Sequence, residues 1–266
     1  PATGRTVPRR DMMLMQTGLP TLRAQFPTHA AYSLADVRAL LGSHEAQAQT
    51  VRANTLASMV FLNRGSRFEA VALPDEAQWA PVFGINVADL DGDGIEDLFL
   101  SQNFFAMRLE EPRLDSGRGL FLKGRGNGTF QAASGQQSGL AIYGEQRGSA
   151  LADFDEDGRV DLAVSQNNGA TRLFRNAGAK PGLRIRLDGG ADNPDGIGAV
   201  IRLKYGERFG PAREIHAGGG YWSQDSAVQV MAAPQPPTQL WVRWPGGRVT
   251  TNDIPAGAKE MRKAKG

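Results

Sequence analysis

The stretch Asp89-Leu-Asp-Gly-Asp-Gly-Ile-Glu-Asp97 decides which fold the chain is expected to adopt. It places aspartates at positions 1, 3, 5 and 9 of a nine-residue window, with glycines at positions 4 and 6. Four carboxylates this close repel one another unless a cation lies between them. Calcium accepts about six to eight oxygen ligands in an irregular shell, and glycine permits the tight curl that such a loop needs. The window therefore predicts a calcium-binding loop.

The same pattern returns 64 residues later as Asp153-Phe-Asp-Glu-Asp-Gly-Arg-Val-Asp161. It keeps the four aspartate positions and the glycine at position 6. Apolar residues 98–100 and 162–164 follow the two windows, so each loop is expected to lead into a β-strand. An EF-hand carries a bidentate glutamate at position 12, where the first window has Leu100. The chain therefore contains two copies of an acidic loop that is not an EF-hand.

Each acidic loop is expected to hold one calcium ion through carboxylates and one backbone carbonyl. For the first acidic loop, residues 89–97, the predicted ligands are the side chains of Asp89, Asp91, Asp93 and Asp97 and the carbonyl of Ile95. For the second acidic loop, residues 153–161, they are the side chains of Asp153, Asp155, Asp157 and Asp161 and the carbonyl of Arg159. The expected role is structural, because a filled loop fixes the register of the strand that follows it.

Hairpin patterns accompany the acidic loops. Residues 120–122 and 129–131 are predicted to form two strands. Asn127-Gly128 between them is a strong signal for a hairpin turn. A similar hairpin pattern occurs at residues 59–71, and a third copy of the hairpin pattern is expected to begin at residues 172–176. The chain thus carries an internal repeat of about the length of a propeller blade.

Phe83-Gly84, the acidic loops and the hairpins together resemble FG-GAP (VCBS-type) repeats, which form the β-propeller of integrin α chains and of many exported bacterial proteins. The second copy departs from the pattern, with Arg147-Gly148 for Phe-Gly and Glu156 for the first loop glycine. The resemblance implies propeller blades over residues 58–178. Propellers close with about 4–8 blades. Two complete copies and a partial third therefore predict an open, partial propeller that packs on a partner or belongs to a longer precursor.

The C-terminal region, residues 179–266, alternates apolar and polar residues in short segments between glycines and prolines. This pattern predicts an antiparallel β-sandwich-like domain. Three of its pieces, 193–199, 218–226 and 242–248, resemble the ASPIC/UnbV domain, which often follows FG-GAP repeats in secreted proteins. The expected fold class is therefore mainly β, with a basic tail at the C-terminus.

Residues 1–57 are expected to be extended and helical. Leu34, Val37, Leu40 and Leu41 fall at helical spacing before Gly42, and Ser43 is expected to cap a second helix that runs to about Ala57. The chain begins at Pro1 without a methionine, so we expect it to be a processed or excised piece.

Composition narrows the functional classes. Of the 266 residues, 41% are hydrophobic. The absence of cysteine excludes disulfides and thiolate metal sites. No apolar run approaches the length of a membrane span, which excludes a transmembrane segment. The net charge of +2, with basic residues gathered at the ends, does not favour nucleic-acid binding. The three histidines, His29, His44 and His216, are far apart, and no nucleophile elbow, phosphate loop or zinc motif is present.

Two functional classes remain open. The first is a non-enzymatic, calcium-binding, extracytoplasmic interaction or scaffold module that works with a protein partner in a larger assembly. The second is the carbohydrate-binding or catalytic tail of a carbohydrate-active enzyme, with a glycan ligand. Its residue basis is an aromatic group that could stack on sugars, namely Tyr221, Trp222, Trp241 and Trp244.

Overall fold

The computed structural model describes residues 4–109 and 111–265, and the chain divides into two compact units, Pro1–Leu56 and Ala57–Gly266. The structure is mainly β, with 35% strand and 13% helix in several antiparallel sheets. Within the described residues, no helix has the length and apolar character needed to cross a bilayer.

The N-terminal unit is built from short helices. They are α1 (Met12–Gly18), α2 (Leu22–Gln25), α3 (His29–Ser33) and α4 (Val37–Leu41), followed by a 3-10 turn at Gly42–Gln47. Met12, Leu22 and Tyr32 form its small core, and the ring of Phe26 meets that of Tyr32 edge to face at 6.1 Å.

The predicted helices in this unit are shorter than expected. Asp36 caps α4 by accepting a hydrogen bond of 2.8 Å from the amide of Ala39, and Leu34 lies outside that helix and is exposed. The predicted helix up to Ala57 is wrong, because regular structure ends at Gln47. Val51 and Leu56 are exposed, so this stretch buries no apolar face, and a short helix without tertiary packing is marginal.

The second unit begins with a hairpin and two repeat sheets. The hairpin is β1 (Met59–Asn63) and β2 (Phe68–Ala72). The first repeat sheet is antiparallel and contains, in spatial order, β3 (Val82–Ala88), β4 (Asp97–Gln102), β5 (Leu120–Gly124) and β6 (Phe130–Ala133). After the one-turn helix α5 (Gly135–Ser138), the second repeat sheet contains β7 (Glu145–Ala152), β8 (Asp161–Asn167) and β9 (Gly169–Phe174).

The registers of the two repeat sheets are equivalent. Ala88 pairs with Asp97 in the first sheet, as Ala152 pairs with Asp161 in the second. The expectation that residues 172–176 open a third copy is wrong, because β9 pairs with β8 and completes the second sheet. A repeated sequence does not reveal where each structural unit starts.

The two repeat sheets pack face to face. Ala88 and Phe99 of the first sheet share a buried cluster with Leu151, Leu162 and Val164 of the second. The other face of the first sheet is covered by residues from the β1–β2 region, in a separate cluster that includes Leu73, Ala77, Leu98, Leu100 and Leu122.

The C-terminal region forms two further sheets. Its strands are β10 (Leu183–Asp188), β11 (Val200–Tyr205), β12 (Arg208–Phe209), β13 (Arg213–Glu214), β14 (Gln229–Met231), β15 (Gln239–Arg243), β16 (Val249–Asp253) and β17 (Glu260–Ala264). One sheet has the order β14-β10-β17, and the other has the order β12-β11-β15-β16 with β13 also paired to β11. Their inner faces share one core, which contains Ile185, Ile201, Leu240 and the fully buried Trp244.

The expected purely antiparallel arrangement is wrong at one pair, because β10 and β17 run parallel. Residue alternation indicates a strand but carries no information on its direction, so the sequence could not distinguish the two.

Candidate metal centre

The first acidic loop curls around the carboxylate of Asp89, at the end of β3. Asp89 accepts backbone hydrogen bonds from Gly92 at 2.7 Å, from Asp93 at 3.1 Å and from Gly94. Gly92 and Gly94 have φ angles of 78° and 91°, in the left-handed region that side chains disfavour. The glycines therefore allow the loop amides to converge on one buried carboxylate.

The carboxylate of Asp97 closes the first loop from the start of β4. It accepts amide hydrogen bonds from Leu90 at 2.9 Å and from Gly124 of the neighbouring β5 at 2.8 Å, and it is fully buried. The amide of Ile95 donates to Asp93 at 2.9 Å. Asp97 thus ties the loop to the sheet.

The second acidic loop repeats this geometry. Asp153 accepts hydrogen bonds of 2.9 Å from the amides of Asp157 and Gly158, and Asp161 accepts from Phe154 at 3.1 Å and from Asn176 at 2.7 Å. The last of these bonds reproduces the one from Gly124 to Asp97 in the first loop. The two loops are therefore equivalent in backbone structure as well as in sequence.

Glu156 takes the place of the first loop glycine without changing the curl. Its φ angle of 61° is close to the 78° of Gly92. A residue with a side chain adopts this left-handed conformation at a cost of about 1–2 kcal/mol. The second loop thus keeps the predicted form, although its sequence departs from the glycine pattern.

Three aspartates in each loop come close enough to bind one ion. Asp89, Asp91 and Asp93 each offer a carboxylate oxygen within 4.8 Å of the other two, and so do Asp153, Asp155 and Asp161. The predicted ligands Asp97 and Asp157 lie outside these two groups of carboxylates. The carbonyls of Ile95 and Arg159 are the other predicted ligands. Their participation in binding stays a prediction.

Burial disfavours the charged form of the carboxylates at the base of each loop. It raises the pKa of Asp89 and that of Asp161, although backbone hydrogen bonds partly offset the effect. Burial also raises the pKa of Asp97, to about 6. Negative charge is therefore only partly compensated by the protein at these positions, which is the electrostatic condition under which a cation binds.

Cationic side chains at the mouths of the loops were missed by sequence reasoning. Lys123 forms ion pairs with Asp91 and, at 3.0 Å, with Asp93, and these contacts raise its pKa. In the second loop, Arg175 contacts Asp155 and lies 3.1 Å from Asp157. The sequence held one signal for these cations. Lys123 directly precedes Gly124, whose amide donates to Asp97, and Arg175 directly precedes Asn176, whose amide donates to Asp161.

Each loop offers a set of oxygen donors alone. Carboxylates and carbonyls are the ligands of hard cations such as calcium and magnesium. Neither residues 89–97 nor residues 153–161 include a histidine or cysteine, the ligands that softer metals prefer. The donor set, the partly compensated charge and the curled backbone together fit a hard divalent cation. An entering cation would compete with Lys123 or Arg175 for the outer carboxylates.

The other candidate residues do not form a site together. Trp244 is buried in the core and Trp241 packs edge to face on Phe209 at 5.9 Å, whereas Tyr221 contacts Phe83 and Trp222 is 93% exposed. The sequence left open either a sugar-stacking platform or a role in the sandwich core, and the burial of Trp244 excludes a platform made of all four residues. His216 lies 3.8 Å from Glu214, and both side chains are largely exposed.

The comparisons with known proteins give one family match and one partly similar relative. Residues 189–262 match the family described as ASPIC and UnbV, which confirms the resemblance of the three C-terminal pieces. A stretch of 72 residues is 33% identical to cartilage acidic protein 1 of Xenopus tropicalis. This match covers 27% of the chain and 11% of that relative, so the chain spans only a small part of its length.

Proposed function

We propose that this chain is a non-enzymatic, extracytoplasmic interaction or scaffold module whose repeat sheets are stabilised by calcium. The observation that carries the proposal is the equivalence of the two acidic loops. Each joins the first two strands of a repeat sheet and brings carboxylate oxygens of three aspartates within 4.8 Å of one another. Two independent copies of one oxygen-rich geometry favour a shared ligand over chance clustering.

The predicted residues of each loop would hold one ion. Asp89, Asp91, Asp93 and Asp97 with the carbonyl of Ile95 would form the first site, and Asp153, Asp155, Asp157 and Asp161 with the carbonyl of Arg159 the second. Bound calcium would supply the positive charge that the buried carboxylates lack. Asp97 and Asp161 also hold the amides of the neighbouring strand segments, at Gly124 and Asn176. Loop order and sheet register are therefore coupled, and this makes a structural role plausible for the ion.

The repeat sheets are, in this proposal, two blades of an FG-GAP/VCBS-type propeller. Support comes from their antiparallel order, from the loop between the first two strands of each and from their face-to-face packing. The contact runs mainly between β3, β4 and β7. Adjacent propeller blades pack in this manner around a central axis.

A protein partner is proposed on one face of the second repeat sheet. This face corresponds to the face of the first sheet that packs against the second sheet. Ala88, Phe99 and Phe121 of the first sheet pack against the second sheet. Their counterparts by register are Ala152, Ala163 and Leu173, and Leu173 is 58% exposed. A further sheet of the same kind, with a row of aliphatic side chains, would fit this face as the second sheet fits the first.

The proposed extracytoplasmic location rests on resemblance. Residues 189–262 match the ASPIC and UnbV family, which the sequence resemblance associates with secreted proteins, and the partly similar relative is named cartilage acidic protein 1. Millimolar calcium outside cells would suit loops of modest affinity, with Kd of about 0.1–1 mM.

Thermal unfolding in calcium and in a chelator tests the calcium proposal. At a calcium concentration tenfold above Kd, linkage adds about 1.4 kcal/mol per site to the free energy of unfolding. Asp93→Ala should remove most of the contribution of the first loop. Asp192→Ala, which changes an exposed carboxylate outside the loops, should keep the full shift. A melting temperature that calcium leaves unmoved in the unsubstituted protein would refute the proposal.

A further inference from the structure

We propose that the two acidic loops are not equivalent as cation sites: the first is the principal site, whereas arginines hold the second and bind it to the C-terminal region. This inference rests on the proposed function, because it ranks two sites for the same ion. It follows from the cationic side chains that surround each loop.

The first loop is poor in cationic partners. Within the part of the chain that the structure describes, Lys123 is the one cation that forms ion pairs with its aspartates, through Asp91 and Asp93. Asp89 and Asp97 accept hydrogen bonds from backbone amides, and within the described ranges neither forms an ion pair. Most of the carboxylate charge of this loop is therefore available to a metal ion.

The second loop is surrounded by three arginines. Arg159 lies 2.7 Å from Asp157, Arg175 contacts both Asp155 and Asp157, and Arg184 lies 3.0 Å from Asp153. Among the described residues, three guanidinium groups thus contact three of the four aspartates of the second loop, whereas one ammonium group contacts two aspartates of the first. Because the charge of the ligands tunes calcium affinity, the second loop should bind calcium more weakly.

Arg184 is the decisive residue of the three. It belongs to β10 of the C-terminal region and is 8% exposed, and the side chain of Asp153 that it faces is 1% exposed. Its guanidinium also lies 3.2 Å from Glu156 and 3.2 Å from Glu260 of β17. Removing a partner from a buried ion pair leaves an uncompensated charge, so a metal cannot take Asp153 from Arg184 without penalty.

Glu156 fits this interpretation. It occupies the left-handed position where the first loop has a glycine, and the strained conformation places its carboxylate within reach of Arg184. The adjacent backbone supports the same contact, since the amide of Gly182 donates to the carbonyl of Gly158 at 2.7 Å. The second loop is therefore built into the contact with the C-terminal region.

The first loop meets the C-terminal region differently. A Cβ atom at Gly92 would lie 2.8 Å from the backbone nitrogen of Lys180, and one at Gly94 would lie 2.9 Å from the ring of Pro234. Arg213 approaches this loop, but its ion pair is with Glu96, which is not a predicted metal ligand. Among the described residues, the C-terminal region therefore contacts the first loop through backbone and apolar atoms and through Glu96, without an ion pair to its aspartates.

Calcium titration by calorimetry on the full chain tests the inference, with Asp91→Asn and Asp155→Asn as matched variants at equivalent positions. The unsubstituted protein should show one tight step and a second step at least about tenfold weaker. Asp91→Asn should remove the tight step, and Asp155→Asn should leave it in place. Two steps of equal affinity, or loss of the tight step in Asp155→Asn, would overturn the inference and leave the proposed function standing. The absence of any step would overturn both.

Arginine variants test the cause. Arg184→Met should strengthen the second step at least about tenfold without changing the first, and an unchanged second step in the folded variant would contradict the role of Arg184. If this variant does not fold, Arg175→Met tests the same explanation, because Arg175 is exposed and, among the described residues, forms ion pairs with Asp155 and Asp157 at the mouth of the loop. Arg175→Met should strengthen the second step, and Lys123→Met should strengthen the first. If Arg175→Met strengthened the first step, or Lys123→Met the second, the arginines would not be the cause of the weaker binding at the second loop.

Discussion

The side-chain amide of Asn176 donates a hydrogen bond of 2.7 Å to the backbone carbonyl of Leu90, and so joins the end of the second repeat sheet to the acidic loop of the first. The same amide group donates to the carbonyl of Val160 at 3.1 Å in the second loop. Its oxygen accepts from the amides of Gly178 and Ala179, which begin the connection to β10. One asparagine therefore holds both acidic loops and the next chain segment together.

We expect Asn176→Ala to lower the free energy of unfolding by about 1–3 kcal/mol, because it leaves partly buried carbonyls without their donor. Asn176→Asp keeps the shape but replaces the donor by an acceptor, and it should destabilise the protein at least as much. Urea unfolding of the three proteins in the same buffer measures the difference. An Asn176→Asp variant as stable as the unsubstituted protein would show that the two donated bonds contribute little.

Calcium and magnesium should differ in their effect on unfolding. The curled loops offer irregularly arranged carboxylates, whereas magnesium requires a small, nearly regular octahedron and gives up its water reluctantly. At equal concentrations, calcium should raise the melting temperature clearly more than magnesium. Sodium chloride at matched ionic strength serves as the control for screening of the ion pairs around Lys123 and Arg175. Equal shifts with calcium, magnesium and matched salt would indicate screening instead of specific binding.

The acidic loops were predictable from sequence because their chemistry is local. The spacing of the aspartates and the glycine at position 6 specify a curl within nine residues, and the structure shows that curl around both Asp89 and Asp153. Even the substitution at Glu156 leaves the loop intact. The spacing could not predict which charged side chains from other parts of the chain contact the loops.

Arg184 illustrates this limit. It lies 31 residues beyond Asp153, counted along the chain, in a strand whose alternation predicts an exposed position between Leu183 and Ile185. The structure buries it because the second loop and β17 cover that side of β10. Strand alternation identifies the face on which a side chain lies, but tertiary contacts decide what covers that face. The parallel pairing of β10 with β17 escaped prediction for the same reason.

Phe121 and Leu173 occupy equivalent places in the two repeat sheets, but they differ in environment. Phe121 packs against the buried cluster between the sheets, whereas Leu173 is 58% exposed. We expect Phe121→Ala to cost about 2–4 kcal/mol of unfolding free energy and Leu173→Ala less than about 0.5 kcal/mol. Chemical unfolding of the isolated chain measures both. A comparable loss at Leu173 would show that its face is already covered in this chain, which would argue against the proposed partner surface.

Asp225 links the C-terminal region to both repeat sheets and should make stability depend on pH. Its carboxylate accepts hydrogen bonds from the amide of Leu151 at 2.8 Å and from the side chain of Asn86 at 3.0 Å. Burial raises the pKa of Asp225, although these two bonds and the positive charges of Arg213 and His216 oppose the shift. The folded protein therefore favours the protonated carboxyl more than the unfolded chain does.

The sign of the effect follows from linkage. A raised folded-state pKa contributes stability that is fully present below the unfolded pKa, about 3.9, and that is lost as the pH rises through the folded value. Asp225→Asn cannot ionise, and its side-chain oxygen can still accept both hydrogen bonds. The free energy of unfolding of this variant, relative to that of the unsubstituted protein, should therefore increase as the pH rises from about 4 toward 7. Urea unfolding across this range in a chelator measures it, with the exposed Asp192→Asn as a control whose difference stays nearly constant. If the difference for Asp225→Asn stayed flat or fell with rising pH, burial would not control this carboxyl.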